Sequence, residues 1–285
     1  MKKLLIVDGK TLSYKALHTS KKVKISTMTG HEVPMLSGFM ENILDLMGQY
    51  EPTALVIAFG CAETPDEIES DPSYRIQFAL LQVLIEELGL QCVFGEKYTA
   101  DVIKTLVDQA EELEYKSYVV TAEEQLLQVL SKKTHVIILG KQRDVHYNPN
   151  KFYLEYGIEA VRYPDFYALM GQGHDEVPGI PGIGEKTAMK IIREYGSVEL
   201  ILNDMNAVSD FKLRELLDLY KEELILGLEG VKLKGLDELE ADFDEMTFEG
   251  FGITEQMVMN HFGLGDLLEN SGDDGKPELP LFEYM

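Results

Sequence analysis

The chain has no tryptophan, only two cysteines, and few cations. Cys61 and Cys92 stand too far apart for metal-ligand spacing, which excludes a zinc ribbon or a cysteine-held cluster. Long apolar runs are also missing. The longest, ALVIAFGCA from Ala54 to Ala62, falls far short of the ~20 residues that cross a bilayer. The start MKKLLIVDG is basic and then apolar, but Asp8 interrupts it before a signal-peptide core forms. A cytoplasmic location without a membrane partner is therefore expected. In that compartment the two thiols are expected to be buried rather than bridged.

Positive charge is the informative shortage. Lys and Arg together number 26 against 50 Asp and Glu, a net charge of −24. Nucleic-acid binders usually carry a basic face, because neutralising phosphates releases counterions. Over most of its surface this chain repels a phosphate backbone. A nucleic-acid contact must then be local, made by backbone N–H groups and a few lysines. Simple solubility is the alternative use of such acidity.

What is present suits a mixed α/β fold. Hydrophobic residues make up 45% of 285, ample for one large α/β domain or one with a helical annex. Five short, nearly continuous apolar runs predict buried parallel strands: Leu4–Asp8, Ala54–Phe59, Gln91–Phe94, Ser117–Thr121 and His135–Leu139. Between them Pro34–Tyr50, Tyr74–Leu88, Ala100–Glu114 and Glu123–Leu130 have helical spacing. In the second of these, Leu81, Val83, Leu84 and Leu88 form the apolar face and Glu86 and Glu87 the outer one. The alternation predicts a parallel sheet flanked by helices, over residues 1–163. Residues 164–228 read as helical around one Gly/Pro-rich knot. Residues 229–269 are expected to pack back on the first domain, and residues 270–285 to form a disordered tail.

The knot is VPGIPGIGEKTA, Val177 to Ala188. Its prolines and glycines predict tight turns with positive φ at the glycines. A helix then begins near Gly184 or Glu185, and its unpaired N–H groups form a seat for phosphate. Ile180 and Ile183 are expected to anchor the turn. Gly179, Ile180, Gly182, Ile183, Gly184, Lys186, Thr187 and Lys190 are the expected DNA-binding set. A backbone grip of this kind reads duplex DNA without sequence preference.

Together these residues resemble the helix-three-turn-helix of the 5′-nuclease family. That family includes flap endonucleases, bacterial 5′→3′ exonucleases and the N-terminal domain of bacterial DNA polymerase I. The start LLIVDGKTLSYKAL is similar to the family's LLLIDGNSLAYRAF, and Ser37-Gly38-Phe39 to its YGF. The resemblance runs from Leu4 to about Leu268 and implies a PIN-like fold followed by a helix-hairpin-helix type subdomain. It also implies a K⁺ ion in the hairpin loop and two-metal phosphodiester hydrolysis with Mg²⁺ or Mn²⁺. The chain reads as a divergent, stand-alone member.

Carried over position by position, the implied metal set is depleted. Asp8 matches the family's first aspartate, whereas Gly60 replaces the acid after the second strand. The family's Y-E-A-D-D is Tyr98-Thr99-Ala100-Asp101-Val102, and T-G-D-K-D is Thr121-Ala122-Glu123-Glu124-Gln125. G-D-K-S-D-N is Gly171-Gln172-Gly173-His174-Asp175-Glu176. Asp8, Asp101, Glu123 and Asp175 remain as a reduced metal set. Strand-end or capping acids are the plain alternative for these side chains. The catalytic residue is otherwise open, with Lys15 as the candidate. The family's basic arch corresponds to Cys61–Tyr74, which has five acids and no Lys or Arg.

The expected function is binding of double-stranded or branched DNA in replication or repair, with little or no hydrolysis. One alternative is an active metal-dependent 5′→3′ exonuclease using the four acids. The other is a fold reused to bind protein. The tail adds Glu278-Leu279-Pro280-Leu281-Phe282, similar to the Q-L-x-L-F peptide that docks on the bacterial sliding clamp. Glu278 stands where that motif prefers glutamine.

Overall fold

The computed structural model describes residues 2–19, 33–60, 72–96, 98–171, 177, 179–248, 250–251 and 260. They fall into two compact units, Met1–Thr121 with Gly235–Met285, and Ala122–Lys234.

The first unit holds β1 (Lys3–Asp8), α1 (Gly9–Thr19), α2 (Pro34–Tyr50), β2 (Ala54–Gly60), α3 (Pro72–Glu87), β3 (Gln91–Gly95), α4 (Thr99–Glu112) and β4 (Lys116–Thr121). The strands run in the order β3-β2-β1-β4, and each neighbouring pair is parallel. Leu4, Leu5, Ile6 and Val7 of β1 are fully buried, as a central strand covered on both faces requires. β1 is the point where the order reverses. In open α/β sheets, sites form beyond the carboxyl ends of the strands at such a switch point. Asp8 ends β1 there, and Thr121 ends β4 beside it.

α2 starts with Pro34 at its first turn, where the missing N–H costs nothing, and ends at Glu51 in the left-handed region (φ 48°). Residues after Gly235 are tied into this unit by polar bonds. The Thr105 hydroxyl accepts from the Leu236 N–H (2.8 Å), Gln109 Oε1 from the Ala241 N–H (3.1 Å), and the Met246 carbonyl from the Leu55 N–H (2.9 Å).

Three local expectations differ from the structure. β3 is only half-buried because it lies at the sheet's outer edge, and Phe94 is exposed. In α3, Leu81, Leu84 and Leu88 are buried but Val83 is 46% exposed. Two residues after Leu81, it lies on the opposite side of a 3.6-residue turn. The stretch expected as a helix over Glu123–Leu130 is a 3₁₀ helix, Glu124–Val129. Its buried residues come as i, i+3 pairs, Leu126 with Val129 and Leu127 with Leu130, and a three-residue turn puts each pair on one side.

The second unit continues with β5 (Thr134–Ile138) and the antiparallel β6 (Val145–Tyr147). β6 gives no clear sequence signal, being three residues long with His146 at its centre. The helices α5 (Pro149–Tyr156), α6 (Tyr163–Met170), α7 (Glu185–Tyr195), α8 (Val198–Asn203), α9 (Phe211–Leu219) and α10 (Lys221–Val231) follow. Asn148 caps α5 by accepting from the Lys151 N–H (2.9 Å), and Gly157 closes it with φ 65°. Ser197 caps α8, and Asp165 accepts from the Val198 N–H at 2.8 Å.

No helix among the described residues is long and apolar enough to cross a membrane.

Candidate nucleic-acid interface and acidic positions

The knot forms a built turn within the second unit. Ile180-Pro181-Gly182-Ile183 is closed by the Ile183 N–H donating to the Ile180 carbonyl (3.0 Å), with φ 89° at Gly182. Proline second and a positive-φ glycine third make a type II turn. The Ile180 N–H donates to the Leu169 carbonyl (2.9 Å), which fastens the turn to the end of α6. Ile180 and Ile183 are buried, at 3% and 4% exposure.

Gly179 has φ 63°, and a Cβ there would meet the backbone of Met170 and Gly171 within 2.4–2.5 Å. Gly184 differs from the expectation of positive φ. It caps α7 in an extended conformation (φ −92°, ψ 179°), without a side-chain cap, and a Cβ on it would meet nothing within 4 Å. Gly182, Gly184, Lys186, Thr187 and Lys190 are all exposed around this helix start, whereas Gly179, Ile180 and Ile183 of the expected set are buried because they anchor the turn. α7 buries the opposite stripe, Ala188, Met189, Ile191 and Ile192. One face of the helix is therefore anchored, and its first turn opens to solvent with N–H groups that the helix does not use.

At the acidic positions the surroundings differ sharply. Asp8 is 1% exposed. Its Oδ1 accepts from the Thr11 N–H (2.9 Å), which caps α1, and its Oδ2 accepts from the hydroxyls of Thr11 (2.6 Å) and Thr121 (2.7 Å). Burial pushes its pKa up, and the bonds from Thr11 and Thr121 and the charge of Lys10 oppose that rise. Gly60 and Thr99, two positions where the resemblance calls for carboxylates, bond to each other: the Gly60 N–H donates to the Thr99 hydroxyl (2.9 Å). Val102 is fully buried, with its Cγ2 only 2.3 Å from where a Cβ on Gly95 would stand. Asp101 lies in the first turn of α4, and its carbonyl accepts from the Thr105 hydroxyl (2.8 Å). Lys15 is half-buried on α1.

In the second unit Glu123 is half-buried and accepts from Gln125 Nε2 at 2.7 Å. Glu124, where the family has lysine, accepts from the Tyr167 hydroxyl (3.2 Å), which in turn meets the Tyr163 hydroxyl at 3.2 Å. Asp175, Gln172, the arch segment 61–71 and the tail residues Glu278, Leu279, Leu281 and Phe282 lie outside the described residues. Among the described residues no three His, Cys, Asp or Glu side chains converge as a metal-holding group. Sequence reading missed the hydroxyl partners of Asp8. Their signal was a threonine ending a strand and another three residues after the aspartate.

Models of two domains match the chain: the N-terminal resolvase-like domain of 5′-3′ exonucleases over residues 3–157, and their C-terminal SAM fold over residues 158–252. Bacillus subtilis DNA polymerase I is 28% identical over 289 residues, covering 96% of this chain and 32% of that protein. The thermostable DNA polymerase I of Thermus filiformis is 30% identical, covering 85% and 30%. The chain thus spans under a third of the length of these curated relatives. Among solved structures, the T5 5′-exonuclease with bound zinc has a TM-score of 0.66 at 19% identity, covering 95% of this chain and 100% of that one. The bacteriophage T5 flap endonuclease in a complex with DNA and metal ions scores 0.65 at 17% identity, covering 95% and 99%.

Proposed function

The chain belongs to the 5′-3′ exonuclease family, and we propose that it grips double-stranded or branched DNA through the turn Gly179–Gly184 and the start of α7, with weak or absent hydrolysis. The observation that carries this reading is Gly184. Its φ of −92° suits any residue, and no neighbour would meet a side chain there. The fold makes no demand for glycine at this exposed helix start, whereas a phosphate drawn onto the Glu185 and Lys186 N–H groups does. Lys186, Thr187 and Lys190 add charge and a hydroxyl to the same exposed face. In this reading residues 164–228 are the DNA-binding subdomain on a 1–163 nuclease-like domain. A K⁺ ion in the hairpin loop would support the grip.

The weakness of hydrolysis rests on the donor set of the first unit. A Mg²⁺ or Mn²⁺ pair needs several hard carboxylate oxygens. Gly60, Thr99 and Val102 supply no carboxylate, which leaves Asp8, already accepting from three protein donors, and Asp101 as the carboxylates of the set in this unit. These residues do not fit a two-ion site. Asp101, Glu123 and Asp175 complete the reduced set, and Lys15 is the one further catalytic candidate. The experiment is a gel assay of the purified chain on labelled flap DNA, with and without Mg²⁺ or Mn²⁺. Binding without cleavage is expected. Enzyme-like turnover that Asp8→Ala abolishes overturns the reading in favour of an active exonuclease. Absence of any DNA binding favours a protein-interaction role. A peptide of residues 276–285 titrated against the sliding clamp tests the tail, and loss of binding on Leu281→Ala with Phe282→Ala is the expected sign of docking.

A further inference from the structure

Neither the DNA grip nor the acidic positions use the histidine pair on the β5–β6 hairpin. His135 Nδ1 and His146 Nε2 stand 2.9 Å apart, with ring centroids 5.0 Å apart and ring planes inclined by 55°. The register fixes this meeting. Ile137 pairs with His146, so His135 is the diagonal neighbour two residues along, within reach of a long or ringed side chain. Both residues are half-buried, which leaves an approach from solvent. The strand beneath is firm, since Val136 and Tyr147 pair in the same ladder and are buried.

We propose that His135 and His146 form a two-imidazole site for a borderline divalent transition ion of the Ni²⁺ or Cu²⁺ class. Around a square-planar or octahedral ion, two ligands at right angles with bonds of ~2.05 Å lie ~2.9 Å apart. That is the separation of the two nitrogens. The two nitrogens stand at hydrogen-bond distance, with the donor set by the tautomers, and the ion takes the place of the shared proton. Each ring turns by roughly 45° away from the N–N line, the angle a right-angle chelate makes with it, so that both lone pairs meet at a common point. Imidazole nitrogen selects such ions over Mg²⁺, which prefers oxygen, so the site is chemically separate from the carboxylates.

The test is a calorimetric titration of Ni²⁺ into the full chain, in excess Mg²⁺ to mask surface carboxylates. One tight ion per chain is expected. His135→Asn and His146→Asn are each expected to weaken it at least tenfold, about 1.4 kcal/mol, while His18→Asn leaves it unchanged. Equal binding in both variants, or no binding with Mg²⁺ present, overturns the proposal. If a variant fails to fold, the unaltered chain still decides. Paramagnetic Ni²⁺ should broaden the imidazole NMR signals of His135 and His146 before those of the other four histidines. Earlier broadening elsewhere sinks it.

Discussion

Gly179 and Gly184 are five residues apart and are glycine for different reasons. Gly179 sits at φ 63° against the backbone of Met170 and Gly171. Gly179→Ala adds left-handed strain and a backbone clash, and is expected to cost more than about 2 kcal/mol in urea denaturation. Gly184→Ala meets open space at an ordinary φ. It is expected to cost less than about 1 kcal/mol of stability and yet to weaken DNA binding in a gel shift. Unchanged DNA affinity in Gly184→Ala removes the main support for the grip. Asp165 makes a different residue-scale prediction. It is 6% exposed, and burial raises its carboxyl pKa despite the Val198 N–H and Arg162. With the folded pKa above the unfolded one, the unfolded state ionises first as pH rises. Stability therefore falls between the usual carboxylate pKa and the raised one, and stays lowered at neutral pH. Asp165→Asn keeps an oxygen to accept from the Val198 N–H. It should melt higher than the parent at neutral pH, with the gain shrinking as the pH drops through that window.

At the scale of elements, α7 is a helix with one anchored and one open face. Charge reversal on the open face leaves the packing of Ala188, Ile191 and Ile192 untouched. Lys186→Glu with Lys190→Glu should therefore keep the melting temperature, weaken duplex binding, and lower the salt slope by about two units, one per lost phosphate contact. An unchanged slope means that the lysines do not touch phosphate. α4 shows the converse. Restoring a family acid by Val102→Asp places a charge at a fully buried position against Gly95. The expected cost is about 3–5 kcal/mol, typical of an uncompensated buried charge. Rebuilding the metal set therefore requires repacking beneath α4 as well as new carboxylates. Thermal melts of the single variant check this.

At the scale of the molecule, the proposed grip carries two opposing salt effects: repulsion from the excess of 24 negative charges is screened as ionic strength rises, while phosphate contacts at α7 would weaken with it. Family membership supplies the fold, and a likeness to structures at 17–19% identity carries no activity by itself. The flap-DNA assay is therefore the measurement on which the functional reading turns.

Much of this was legible in the sequence, for a physical reason. Short, nearly continuous apolar runs suit strands covered on both faces, so β1, β2 and β4 were readable from Leu4–Asp8, Ala54–Phe59 and Ser117–Thr121. The order Pro-Gly at residues 181–182 fits a type II turn, and the helix after it began where the string predicted. Other features depended on neighbours distant in sequence. Whether Val83 is covered, whether β3 is an edge, and what Asp8 bonds to are set by which elements pack together. Thr121, 113 residues beyond Asp8, donates to its carboxylate. His135 and His146 meet only because antiparallel pairing sets them on one diagonal. Local composition chose the elements, and tertiary packing decided which side chains face one another and which glycine the backbone itself requires.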